Sequence, residues 1–363
     1  MHFTEKSRKT IDACRFCWMC RHICPIGNAT GMERNTARAR ALGLSMVARG
    51  VEEIGASIAN VYECALCGAC TKECLTAWDP ILFTTEAKLE AAMAGEMPEY
   101  IVSMIENIER TGNAYGKTEL CTRLSESIAS LPTDAETVLF LGKNAVYRTC
   151  RQACAAVELL KKAGVSFTVL TDEPSSGWDL FFLAGGAEET RQTMKACAAS
   201  LNSFKTVVAY DPNDARMFRR QFKEWGIGLN AEVKTFTEFT AKLIASGKLM
   251  PKKSASVFTF QDPASLARDL EETVPAREIL NACGTTLEML MNGRDTNLAG
   301  NLLMAEYMPE AMTKVAVRRW EEAQRIGASI LVTANPDDYA ALETVKPEGC
   351  RLISIEEAVL ECL

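Results

Sequence analysis

The chain has little histidine, two residues in 363, and no nucleophile with an attendant base is visible in it. Nor does it hold a complete phosphate-binding fingerprint. Gly185-Gly186, after the apolar DLFFLA, comes nearest, but it lacks a full G-x-G-x-x-G or Walker spacing and reads as a plain turn before a helix. No uninterrupted apolar stretch has the length of a membrane span; the best, LFFLAGG from Leu180, is strand-sized. The opening decapeptide MHFTEKSRKT has no apolar run, so no signal peptide is expected. An excess of positive charge is also missing. Lys and Arg number 40 against 47 Asp and Glu, a net charge of −7, which leaves nonspecific nucleic-acid binding without electrostatic support at the level of the whole chain.

Cysteine is abundant: there are fifteen. Eight fall into one pattern written twice, Cys14, Cys17, Cys20, Cys24 and Cys64, Cys67, Cys70, Cys74, each C-x2-C-x2-C-x3-C. This is the ligand spacing of a two-cluster [4Fe-4S] ferredoxin. Three cysteines at i, i+3 and i+6 around a tight loop place three sulfurs on one concave side, and the fourth must arrive from elsewhere. In this arrangement the last cysteine of each run conventionally serves the other run's cluster. Cys14, Cys17, Cys20 and Cys74 are therefore expected to hold one cube, and Cys64, Cys67, Cys70 and Cys24 the second. Zinc fits less well, because zinc pairs of C-x2-C are usually a dozen or more residues apart and a third cysteine would be surplus to a tetrahedral site. A disulfide framework suits a small secreted domain.

Residues 1 to 50 hold nine Lys or Arg against three acids, Glu5, Asp12 and Glu33. This concentration suits charge compensation for anionic clusters and a solvated helix face; a docking face for an acidic redox partner is the alternative. The other seven cysteines (Cys121, Cys150, Cys154, Cys197, Cys283, Cys350 and Cys362) form no C-x2-C pair. Free, scattered thiols fit a reducing cytoplasm and core packing, and Cys150 and Cys154, at i and i+4, read as packing on one helix face. His22, inside the first run, is placed either to hydrogen-bond cluster sulfur or to face solvent.

With 363 residues, 48% of them hydrophobic and 24% charged, the chain has the composition of a globular protein of two or three domains. Helical segments separate the cysteine runs (residues 33–48 and 51–62) and follow the second (Ile81 to Ala94, opened by Asp79-Pro80). An α-helical ferredoxin domain is expected over residues 1–95 and a helical linker over 96–135. From Thr137 the texture alternates short apolar runs with helices: TVLFLG, VSFTVLT, DLFFLAGG and TVVAYDP, then SVFTFQDP, TLEMLMN, SILVTANP and RLISIEE. That alternation marks an α/β region. TVVAYDPNDARMF (206–218) matches SILVTANPDDYAAL (329–342), each a strand ending in x-P-x-D at a helix start. A duplicated α/β unit is therefore expected, with halves 136–250 and 251–363, and the fold class is α+β multidomain. Asp211, Asp214, Asn335 and Asp338 at these junctions suit helix N-caps, and less well oxygen ligands for a hard cation.

These landmarks together resemble the iron-sulfur subunits of the heterodisulfide reductase, glycolate oxidase and anaerobic glycerol-3-phosphate dehydrogenase group. The resemblance covers the ferredoxin runs, the link TGNAYG (Thr111 to Gly116, similar to the group's G-N-P-x-G), Gln261-Asp262-Pro263, the Pro275 to Leu280 segment and the Gly327 to Pro336 strand. That group joins two [4Fe-4S] motifs to two cysteine-rich CCG repeats. Here the repeat cysteines are absent: Ser175-Ser176-Gly177, Asp211-Pro212-Asn213-Asp214, Ala264, Leu298-Ala299-Gly300 and Asn335-Pro336-Asp337-Asp338 stand in their places. Pro25 follows Cys24 as expected, whereas Leu75 follows Cys74 where proline is usual. Because cluster iron is held chiefly by soft thiolate, no noncubane cluster is expected in the C-terminal region. The resemblance implies an electron-transfer subunit of a cytoplasmic heteromeric oxidoreductase of anaerobic metabolism, relaying single electrons to or from a flavoprotein dehydrogenase, with no catalytic residue of its own. The alternative is a catalytic reductase whose α/β region binds substrate or a cofactor fed by the clusters.

Overall fold

A computed structural model describes residues 4–7 and 13–363, so Arg8, Lys9 and Asp12 of the charged N-terminal segment lie outside the described residues. The fold mixes helices with two parallel sheets and divides into two compact units. One comprises residues 1–116, 177–192 and 303–315; the other comprises 117–176, 193–302 and 316–363.

The first unit is helical. Its backbone is punctuated by side chains that satisfy helix ends: Thr36 accepts from the Ala39 amide at the start of the helix Ala37–Ala48, and Asp79 accepts from Ile81 and Leu82 at the start of Pro80–Ala94. Ala41, Leu44, Val61, Trp78, Phe83 and Ala87 form its core, and Cys14, Phe16 and Cys74 pack against them. The cysteine loops are thus anchored to the same apolar cluster that joins the helices.

The run DLFFLA, expected as a strand, is instead the buried helix Trp178–Ala184 of this unit. A short run that is apolar on every side suits a buried helix and a buried strand equally, and here the flanking glycines decide. Gly177 and Gly185 take φ of 88° and 64°, values that only glycine adopts at low cost. A Cβ on Gly185 would stand 2.2 Å from the carbonyl oxygen of Thr85, so that glycine permits the close approach of two helices and closes no phosphate cradle. Lys88, fully buried, donates to the Phe182 carbonyl at 2.6 Å and lies over the Phe182 ring at 4.2 Å, taking up one of the helix-end oxygens.

The second unit carries the sheets. Strands β1 (Thr137–Phe140), β2 (Thr206–Ala209) and β3 (Glu232–Thr235) form one, in the order β1-β2-β3. Strands β4 (Val257–Gln261), β5 (Thr285–Leu287), β6 (Ile330–Thr333) and β7 (Arg351–Ser354) form the other, in the order β5-β4-β6-β7. All pairings are parallel, as strands joined through helices require. VSFTVLT contributes only an isolated bridge, Val138 to Thr168. One continuous core, including Leu139, Val208, Phe258, Phe260, Val332 and Ile353, runs through both sheets and the helices on them.

Both matched junctions form the same local structure. Asp211 Oδ1 accepts from the Asn213 amide at 2.8 Å after β2, and Asn335 Oδ1 from the Asp337 amide at 2.6 Å after β6; each is an N-cap followed by proline at the first helical position. The expected capping role therefore holds for Asp211 and Asn335, whereas Asp214 and Asp338 lie within the helices that follow and cap neither.

Candidate iron-sulfur centre

The two cysteine runs fold alike, residue for residue. Phe16 and Leu66, two positions after the first cysteine of each run, have φ of 51° and 50°; Trp18 and Gly68, two positions further on, both have 74°. Left-handed backbone at phenylalanine, tryptophan and leucine costs roughly 1–3 kcal/mol a residue and persists where the surroundings over-determine it. These turns bend the chain so that successive cysteines face inward. The turns lead into the short helices Met19–His22 and Ala69–Glu73, after which Cys24 and Cys74 leave in nearly the same extended conformation, ψ 112° and 108°.

Two small cavities lie in this unit. Cys14, Cys17, Cys20 and Cys74 line the first, with Trp18, Arg38 and Trp78. Cys24, Cys64, Cys67 and Cys70 line the second, with Arg40 and Ile81. In each, three sulfurs come from one run and the fourth from the other. A single zinc ion with Zn–S near 2.3 Å draws its sulfurs within about 4 Å of one another. Among the described residues, the one group of three donors whose ligand atoms converge within 4.8 Å lies elsewhere, at Cys121, Cys150 and Cys154. No three of the eight thiols of the runs form such a group. Soft thiolate donors in fours suit iron-sulfur chemistry.

The electrostatics of the cavities differ. In the first, burial pushes Cys20 up to about 11 and raises Cys14, with nearby thiolates adding in each case. In the second, burial raises Cys70 further, with Cys64 and Cys67 adding and Arg40 opposing. Such thiols give up their protons when a positively charged cluster core replaces them. Arg40 is 3% exposed. Burial would lower its affinity for the proton, but Cys64, Cys24 and Cys70 outweigh this and raise it, so it stays charged. It donates to Cys24 Sγ at 3.7 Å and to the Asn35 and Glu63 carbonyls at 3.1 and 3.2 Å.

Arg40 has no place in the cysteine spacing, yet a signal for it exists. The helix Ala37–Ala48 buries Ala37, Arg40, Ala41 and Leu44, so a guanidinium sits on the apolar stripe of an otherwise simple helix. Arg21 and Arg38 both pair with Glu33, and Arg34 pairs with Glu63; these account for much of the local positive charge. Arg21 and Arg38 also flank Trp18 at 5.5 and 4.1 Å from its ring centroid. Cys17, Trp18 and Met19 are exposed, which leaves the first cavity accessible, whereas Cys24, Cys64 and Cys70 of the second are buried. His22 faces solvent. Tyr307, from far along the chain, donates to the Tyr62 carbonyl at 2.9 Å and stacks on Tyr100 at 5.0 Å within the same unit.

Residues 10–77 match the 4Fe-4S dicluster domain. Over 241 residues, 62% of its length, the chain is 29% identical to an EtfAB:quinone oxidoreductase of Syntrophomonas wolfei, and over 303 residues, 75% of its length, 24% identical to the D component of the dihydromethanophenazine:CoB--CoM heterodisulfide reductase of Methanosarcina acetivorans. The chain carries an iron-sulfur dicluster domain and is similar over most of its length to components of redox enzymes. Its match spans 34% of the first relative and 72% of the second. An electron-transfer role in an oxidoreductase follows from the dicluster domain and these relatives.

The second unit holds several buried polar side chains that bond one another. Ser176 donates its hydroxyl to Asp214, and the Gly300 amide donates to Asp338 at 3.2 Å. Between these pairs, Asn144 donates to Asp211 at 3.1 Å and to Asp337 at 3.3 Å, and Asn213 donates to Asp337 at 2.7 Å. Ser176, Asp211, Asn213, Asp214, Gly300, Asp337 and Asp338 thus belong to buried polar hydrogen-bonded clusters. Burial raises Asp337 to about 6 and, with Asp337 adding, Asp338 to about 8. The scattered-thiol expectation is corrected at one point: Cys121 and Cys150 form a disulfide, with Cys154 alongside. Helix packing of residues 121–128 on 150–162 brings together cysteines that no sequence spacing links. Among the described residues, no helix is long and apolar enough to cross a membrane.

Proposed function

We propose that this protein relays single electrons through two [4Fe-4S] clusters, one held by Cys14, Cys17, Cys20 and Cys74 and the other by Cys64, Cys67, Cys70 and Cys24, within a cytoplasmic heteromeric oxidoreductase. The observation that carries the reading is the composition of the two cavities, each lined by three cysteines of one run and the last cysteine of the other. Electrons pass through the exposed edge at Cys17, Trp18 and Met19, and the buried second cluster, beside the charged Arg40, is the inner station.

The partner is a flavin-containing dehydrogenase that handles electron pairs, and the duplicated α/β region, without a noncubane cluster, is a docking scaffold. Support for that second part comes from the oxygen and amide donors of the Asp211 to Asp214 and Asn335 to Asp338 segments, which satisfy one another by hydrogen bonds and are hard donors, poorly suited to cluster iron.

Anaerobic isolation from the native cell tests both parts. The expected result is about eight irons per chain, a flavoprotein in the same complex, and cluster reduction by an artificial donor without turnover by the isolated chain. Four irons, or substrate turnover by the chain alone, overturns the proposal.

A further inference from the structure

In the second unit, Cys121 precedes the helix Thr122–Ile128, Cys150 opens the helix Cys150–Lys162, and Cys154 follows one turn later on the same helix. The two helices pack together, and the three sulfurs lie within 4.8 Å of one another. Cys121 and Cys150 are half-buried and joined as a disulfide; Cys154 is buried. A covalent staple between two helices uses two sulfurs and has no need of a third beside it.

Around this trio the wall is apolar on the inner side, with Leu124, Val157 and Ile128 in the same core. The first residue of a 13-residue helix favours a thiolate at Cys150 through the unpaired amides and dipole of the helix end. Burial raises the Cys154 thiol, with Ser127 and Arg123 opposing. Three converging soft donors, a favourable helix end and an accessible outer side are the parts of a mononuclear thiolate site with an open position.

We propose that Cys121, Cys150 and Cys154 form a trithiolate site for a soft d10 cation, such as zinc or cadmium, with the fourth position open to water or an incoming ligand. The disulfide is its closed form. A dithiol reductant supplies two electrons and two protons, becoming a disulfide itself, and opens Cys121 and Cys150 to thiols; coordination then releases the thiol protons to solvent. The site is independent of the two cysteine runs and would stand if either cluster assignment failed.

The test uses the full chain with its clusters in place, treated anaerobically with a dithiol, desalted and dialysed against cadmium. One cadmium per chain is expected, with iron content unchanged and three sulfurs around the metal by X-ray absorption. Cys154→Ser should weaken binding by on the order of tenfold or more, whereas Cys350→Ser should leave it unchanged. A second readout needs no variant: cadmium should protect Cys121 and Cys150 from alkylation while Cys350 reacts as before. Absence of bound cadmium, retention of it by the Cys121→Ser, Cys150→Ser, Cys154→Ser triple variant, or a disulfide that the dithiol does not open would each overturn the proposal.

Discussion

Arg40 donates through Nη2 to the Sγ of Cys24 at 3.7 Å, from a position almost wholly out of water. Cys24 belongs to the first cysteine run but lines the cavity of the second, so this one guanidinium bears on the junction between the two. A fixed positive charge there stabilises the more negative, reduced state of whatever cluster Cys24 holds.

Replacing Arg40 therefore has a signed consequence. At an effective dielectric of about 20, a unit charge at this range is worth roughly 4 kcal/mol, which for a one-electron couple is on the order of 170 mV. Arg40→Gln should make the potential of the second cluster more negative by about that amount, and Arg40→Lys should do so much less. Redox titration followed by electron paramagnetic resonance checks this; an unchanged potential in Arg40→Gln would remove Arg40 from the account.

The crossing of ligands predicts which cluster suffers when the fourth cysteine is removed. Cys74→Ser should impair the cluster served by Cys14, Cys17 and Cys20, and Cys24→Ser the cluster served by Cys64, Cys67 and Cys70. Each variant should retain about four irons, the content of one cluster. If Cys74→Ser instead silences the more buried centre, the pairing is local to each run.

Stability of the second unit should depend on pH in a direction set by its buried carboxyls. Burial, with Asp337 adding, raises Asp338 to about 8; burial raises Glu173 and Glu356 to about 7. Folded values above the unfolded range mean that the native state binds more protons between about pH 4 and 8, so this contribution is complete below about pH 4 and is lost as pH rises through the folded values. Unfolding by urea should show stability falling from pH 5 to pH 8. Asp338→Asn, with no proton to lose, should flatten the slope; an equally steep slope in the variant counts against the assignment.

Gly185 offers a steric test. Its φ of 64° and the Thr85 carbonyl oxygen, 2.2 Å from where a Cβ would stand, leave no room for a methyl group. Gly185→Ala should destabilise the helical unit by about 2 kcal/mol or more, lowering the unfolding temperature measured by circular dichroism. Gly164→Ala, also at positive φ but with nothing within 4 Å, should cost less.

What could be read without a structure is local. The eight cysteines announce iron-sulfur chemistry because cubane ligation is written in short spacings, and Asp79-Pro80, Asp211-Pro212 and Asn335-Pro336 announce helix starts because capping involves neighbours along the chain. Most strands of the α/β region follow from apolar runs bounded by turns.

Other features depend on which distant surfaces meet. DLFFLA is a helix because two glycines let it close on Pro80–Ala94, a choice that its own apolar composition leaves open. Arg40 is a buried cation because the chain folds thiols around it, and Tyr307 reaches Tyr62 across 245 positions of sequence. Cys121 finds Cys150 and Cys154 only when their helices pack. Sequence by itself determined the donor chemistry and the local turns that present it; tertiary structure decided the company each donor keeps, because burial and charge arise from segments that are neighbours in space alone.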